Sequence, residues 1–219
     1  MPDALSSAEV DRVLHALDRV PGVTSAGKRP QSNYAIRDLF NVLPEARRLA
    51  ESDAVRSLVE RVLHPNAFVV RGLLFDKTRD ANWKVAWHQD LTIAVQQRVH
   101  VPGYGPWSIK GGRTHVLAPV GLLSRMLTVR LHLDDCVDGN GPLRVLPGSH
   151  LHGKLNSADI REWRAHVPAA LCAVRRRGAL LMRPLLLHAS SPSLNPSHRR
   201  VIHLEFAAEN LPGGLHWLT

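Results

Sequence analysis

The sequence predicts a mainly β chain, a sandwich or barrel, with helices flanking its N-terminal side. Three observations predict it. Before Pro65, apolar residues recur at helical spacing behind capping side chains. From Ala67 onward, short apolar or alternating runs are separated by turn residues about every ten positions. Gly and Pro, 15 of each, punctuate the 219 residues.

In the first segment Ser6 and Glu9 have capping-box spacing, and Val10, Val13, Leu14 and Leu17 fall on one helical face. A loop with Pro21, Gly22, Gly27 and Pro30 follows. Two more helical stretches are expected: one from about Pro44 to Ala50, and one opened by Ser52 with Val55, Leu58, Val59 and Val62 turned inward. The strand candidates are AFVVRGLLF, LTIAVQQRV, THVLAPV, MLTVRLHLDD, LRVLPG, ALLMRPLLLH and RVIHLEF. Asn140-Gly141 predicts a tight hairpin between MLTVRLHL and LRVL, because this dipeptide tolerates the positive φ angles of such turns. A surface helix is expected from Ser157 to His166. The connection from His100 to Gly112, rich in Gly and Pro, is long enough to be expected as a lid.

Composition narrows the function. Lys and Arg number 28 against 19 Asp and Glu, a net charge of +9 that favours an anionic partner. The basic residues are dispersed and no basic-aromatic stripe accompanies them, which argues against nucleic acid. The start, MPDALSSAEV, has no apolar signal region, and no run approaches the ~18 apolar residues of a membrane span. A cytoplasmic protein with no membrane partner is expected. Cys136 and Cys172 are too few for a disulfide scaffold or a thiolate zinc site.

Histidine is abundant, at 13 residues. In AWHQDLT, an extended backbone projects His88 and Asp90 from one face and Gln89 from the other. His188, ending the run RPLLLH, is a candidate third donor. Two imidazoles and one carboxylate suit non-haem Fe(II), leaving coordination positions open. His132 and Asp134 repeat the His-x-Asp spacing, but fewer strand candidates separate them from His188. Asp134 and Asp135 are therefore read as strand-end carboxylates before the hairpin.

Ser190 shares a strand face with His188. Alternation puts Arg199, Val201, His203 and Glu205 on one side of the last strand and Arg200, Ile202, Leu204 and Phe206 on the other. One arginine must face inward, where it should hold a ligand carboxylate or Glu205. Arg130 is read as pairing a strand-end aspartate, with an anionic substrate as the alternative. Trp107, Lys110 and Arg113 of the expected lid are candidate substrate contacts.

The runs WHQDL, NGPLRVLPGSH and RPLLLHASSPSLNPSHRR together resemble the phytanoyl-CoA dioxygenase family of Fe(II)/2-oxoglutarate-dependent oxygenases, which includes ectoine hydroxylase-like enzymes. The resemblance covers roughly Ala67 to Ala207. It implies a double-stranded β-helix (jelly roll) with flanking N-terminal helices, one domain over 1–219 with a helical flank at 1–66 and a core at 67–207. It also implies His88, Asp90 and His188 as iron ligands, and 2-oxoglutarate and O2 as cosubstrates. Arg199, with Arg200 as the alternative, and Ser190 would hold the distal carboxylate of 2-oxoglutarate. The implied reaction is hydroxylation of an unactivated C–H bond of a small metabolite, with release of succinate and CO2; the positive charge of the chain leaves room for an anionic one. Two other readings stand beside it: a cupin-like isomerase or dioxygenase without 2-oxoglutarate, for which His150 and His152 of PGSHLHG are donors, and a basic nucleic-acid-binding barrel.

Overall fold

Three sheets and a helical flank follow from the alternation just described. The computed structural model describes residues 1–20 and 35–218. The expected loop residues Pro21, Gly22, Gly27 and Pro30 lie outside them. The described strands are β1 (Ala35–Ile36), β2 (Phe68–Lys77), β3 (Val85–His88), β4 (Thr92–Val95), β5 (Trp107–Lys110), β6 (Arg113–Leu117), β7 (Leu127–His132), β8 (Leu143–Val145), β9 (Ala170–Cys172), β10 (Ala179–Met182), β11 (His188–Ser190) and β12 (Arg199–Ala207). One sheet has the order β1-β2-β12-β7-β10. Opposite it stand a four-stranded sheet, β3-β11-β8-β9, and a three-stranded one, β4-β6-β5.

Helix α1 (Ser7–Leu17) begins at the expected capping box: Ser6 Oγ accepts from the Glu9 amide at 3.2 Å, and the Ser6 amide donates to the Glu9 carboxylate at 2.7 Å. A four-residue helix, α2 (Leu39–Val42), precedes α3 (Pro44–Ala50) and α4 (Asp53–Glu60), the latter capped by Ser52. Val10, Val13, Leu17, Val55, Leu58 and Val59 are buried in one cluster with Leu204, Ile202 and Phe206 of β12. The helices therefore cover the outer face of the large sheet. Each of these side chains adds roughly 1.5–3 kcal/mol of burial. Val62 is 40% exposed beyond the end of α4, so its expected inward placement is corrected. The helix ends at Glu60, two residues short of it. Helix α5 (Val120–Leu123) packs into a second apolar cluster with Ile93, Val116 and Trp217. Helix α6 (Ser157–His166) buries no residue, as expected of a surface helix.

The hairpin expected at Asn140-Gly141 does not form. Strand β7 pairs with β12 and β10, whereas β8 pairs with β11 and β9, so residues 133–142 cross between sheets. Gly141 has φ +63° but Asn140 does not share the positive φ that a type I′ turn needs at both positions. A turn meeting that requirement lies elsewhere: Gly111 (φ +58°) and Gly112 (φ +75°) join β5 to β6, with Lys110 opposite Arg113. The connection expected as a lid is thus partly a paired strand.

Gln89 shows how the first motif is pinned. Its buried amide donates to the carbonyls of Gly153 and Leu185, both at 2.7 Å, and accepts from the Leu155 amide at 2.8 Å. Gln89→Leu would strand two carbonyls and one N–H, so we expect a loss of about 2–4 kcal/mol in urea unfolding. An unchanged midpoint would contradict this.

Candidate metal centre and cavity

Strands β3 and β11 lie side by side with His88 directly opposite His188. Asp90 follows β3 by two residues and its amide donates to the Pro184 carbonyl at 2.9 Å. The backbone ahead of His188 is equally fixed, because the Leu187 amide donates to the buried Ser149 hydroxyl at 2.9 Å. Ligating atoms of His88, Asp90 and His188 consequently all lie within 4.8 Å of one another. The Nε2 atoms of His88 and His188 each stand 3.6 Å from an Asp90 oxygen, one on Oδ1 and one on Oδ2.

Both imidazoles are held in the tautomer that leaves Nε2 free to ligate. A carbonyl oxygen only accepts, so the contacts from His88 Nδ1 to Ala86 O (2.9 Å) and from His188 Nδ1 to Leu186 O (2.8 Å) place the proton on Nδ1. The Nε2 lone pairs are left facing Asp90. Burial pushes His188 down to about 4, which keeps it neutral. For His88, burial acts downward, but the neighbouring Asp90 carboxylate outweighs it and raises the pKa. Burial would raise Asp90, but the imidazoles of His188 and His88 on either side of it outweigh burial and hold the carboxyl well below the usual range. Asp90 Oδ2 has no hydrogen-bond donor although it is buried. A buried, ionised oxygen without a donor, between two bare imidazole nitrogens, fits a divalent cation.

These residues open onto a cavity of about 390 Å³, within the range of small-molecule sites. Ser190, Arg199 and Arg130 also line it. Arg199, 3% exposed, gives Nη1 to the Gly141 carbonyl, while its Nε has no partner. Arg200 lies on the opposite strand face and grips Asp134 with Nε and Nη2, each at 2.8 Å. The two arginines therefore divide as alternation demands. Glu205, the protein's own candidate partner for an inward arginine, is instead paired with Arg71 at 3.0 Å.

Several expectations are corrected here. Arg130 pairs no strand-end aspartate, since Asp134 is occupied by Arg200; it is 6% exposed and gives Nη1 to His203 Nδ1 at 3.0 Å. Trp107 packs against the second apolar cluster and is not among the residues lining the cavity. Lys110 donates to Thr92 Oγ1 at 3.0 Å, and Arg113 pairs with Asp38, so both are engaged outside the cavity. His150 and His152 lie in a 3-10 turn, Ser149–His152, away from the grouped donors, and His152 stacks edgewise on Trp163.

Lys77 and Phe75 are not singled out in the sequence, and Gly141 is read there only as a turn residue. Lys77 is fully buried opposite Arg199, donating to Ser190 Oγ at 3.1 Å and to the Ser191 carbonyl. Burial and the charge of Arg199 push it down to about 8. Its signal was a lysine ending an apolar run, visible only once β2 is known to pair with β12. A side chain on Gly141 would meet the Ser191 carbonyl at 2.5 Å, so the glycine is required by close approach to the strand that carries Ser190.

If the three donors bind a divalent ion, Mn(II) at ~100 times its Kd should stabilise the fold by ~2.7 kcal/mol, a rise of several degrees in melting temperature. Asp90→Ala should abolish the rise. Equal shifts in both proteins would exclude this centre.

A family model described as phytanoyl-CoA dioxygenase (PhyH) matches residues 1–201. Among solved structures, AviO1 from Streptomyces viridochromogenes Tue57 is similar at TM-score 0.68 and 23% identity, over 97% of this chain and 90% of that one. The non-heme alpha ketoglutarate dependent epimerase SnoN from nogalamycin biosynthesis gives 0.65 and 17%, over 97% and 83%. HygX from Streptomyces hygroscopicus, with nickel and 2-oxoglutarate bound, gives 0.65 and 18%, over 94% and 81%. At these identities the likeness is one of fold, and it agrees with the expected jelly roll with N-terminal helices. No curated protein matches the chain.

Proposed function

Because the chain belongs to the phytanoyl-CoA dioxygenase family, whose members use Fe(II) and 2-oxoglutarate, we propose that it hydroxylates a C–H bond of a small molecule. The observation that carries this reading is one cavity holding both a His-Asp-His donor set and a buried guanidinium without a carboxylate partner. A ligand with metal-binding oxygens at one end and a carboxylate at the other satisfies both.

His88, Asp90 and His188 would hold the iron on one face. When bound, it supplies the O2-dependent conversion of 2-oxoglutarate to succinate and CO2 that oxidises the substrate. The chain's own residues bind, orient and desolvate. Arg199 and Ser190 take the distal carboxylate, with Lys77 behind Ser190 adding a third positive or polar donor. Phe75 and Trp83 contribute aromatic walls that exclude water from the reacting centre.

The reading is tested by succinate formation from 2-oxoglutarate under Fe(II) and O2 across a panel of metabolites. Asp90→Ala should abolish it, and Arg199→Met should weaken 2-oxoglutarate binding at least about thirtyfold, the cost of leaving one carboxylate unpaired. Metal-dependent turnover indifferent to both 2-oxoglutarate and Arg199 would favour the cupin-like reading.

A pH signature follows from Lys77. Its pKa of about 8 is depressed because the free site disfavours its charge; a bound dianion favours that charge and raises it. Binding above pH 8 should therefore take up close to one proton, and affinity should fall as pH rises past 8. Calorimetry in buffers of different ionisation enthalpy measures the uptake, and Lys77→Met should remove it.

A further inference from the structure

Arg130 is not needed for any role assigned so far, yet it is the more fully engineered of the two cavity arginines. It projects from β7 beside His203 of β12, with which it is in register. Because a guanidinium can only donate, its 3.0 Å contact fixes His203 with a bare Nδ1 and a protonated Nε2. That Nε2 faces Glu205 Oε1 at 3.6 Å, and Glu205 is in turn held by Arg71 at 3.0 Å. The ring of Phe75 lies under the guanidinium at 5.6 Å and meets His203 edge-on. A chain of four side chains across three strands thus sets one guanidinium, whose Nε has no partner, at the cavity wall.

Charge makes the same point. Among the described residues no carboxylate lies within ion-pair distance of Arg130, Arg199 or Lys77, and Asp90 is the one acid lining the cavity. Iron(II) brings two positive charges, Asp90 removes one and 2-oxoglutarate removes two. The three buried cations then leave the loaded site at +2, or +1 with Lys77 deprotonated. This surplus persists whichever end of 2-oxoglutarate Arg130 touches. Burying an uncompensated cation is costly, so a second anion is called for.

We propose that the substrate carries a carboxylate, which Arg130 binds after 2-oxoglutarate has occupied its own place, with His203 as the residue that positions Arg130. This rests on the reading above. It narrows the substrate from any small molecule to a small acid, and the aromatic neighbours Phe75 and Trp83 suit an apolar or ring-bearing remainder.

The test is calorimetric and needs no turnover. The enzyme is loaded with Mn(II), 2-oxoglutarate is titrated, and the saturated complex is then titrated with benzoate and, separately, with neutral benzamide. Failure of 2-oxoglutarate to bind would overturn the oxygenase reading itself. With it bound, benzoate should bind about tenfold or more tightly than benzamide, as one charge-assisted contact provides. Arg130→Met should erase that preference while changing the 2-oxoglutarate Kd by less than about twofold. Arg130→Lys, which retains the charge, should keep part of the preference and guards against a folding failure. Equal binding of the two probes to the wild type would overturn the proposal. So would an Arg130→Met protein that loses 2-oxoglutarate affinity and keeps the benzoate preference, since Arg130 would then belong to the cosubstrate.

Discussion

The antiparallel pairing of β3 with β11 is the constraint on which the site depends. It sets His88 opposite His188, and the two backbones are pinned by independent contacts, Gln89 on one side and Ser149 on the other. Register in a sheet is a two-valued choice for side-chain direction: a slip of one residue would turn either imidazole to the opposite face. The Nδ1 contacts to Ala86 and Leu186 then fix which ring nitrogen is offered. Strand pairing, tautomer and the unsatisfied Asp90 oxygen form one arrangement, a donor set that fits a divalent cation.

The second organising feature is a cavity floor that holds positive charge. The inward face of the large sheet carries Lys77 and Arg199 at one end and Arg130 and His203 further along. On the outward face, Ile202, Leu204 and Phe206 are packed beneath the helices. The helical flank therefore matters to the site although none of its described residues lines the cavity. By burying the outer face, it commits β12 to presenting Arg199 and His203 inward. Glu205 and Asp134 neutralise the arginines that lie outside the cavity, Arg71 and Arg200, and among the described residues no carboxylate pairs with those inside it.

Much of this was legible in the residues. Ser6 with Glu9 and Ser52 marked helix starts, because capping is a local exchange of hydrogen bonds. The alternation of β12 separated Arg199 from Arg200 correctly, because strand period is a backbone property. Local reasoning failed where partners were distant. Asn140-Gly141 has the composition of a hairpin turn, but the strands around it belong to different sheets, and its glycine serves a close approach to Ser191. The turn that does make a hairpin, Gly111-Gly112, sat unrecognised in a stretch read as a lid.

By itself, then, the sequence determined the mainly β class, the helical flank, the His-x-Asp motif and the inward direction of one arginine. These follow from spacing along the chain, which is fixed by covalent geometry. Tertiary structure alone decided that Lys77 stands against Ser190, that Arg200 rather than Arg130 takes Asp134, and that Trp107 turns away from the cavity. Each depends on which strands become neighbours, and that choice is made by packing the whole apolar surface at once rather than by any short run of residues.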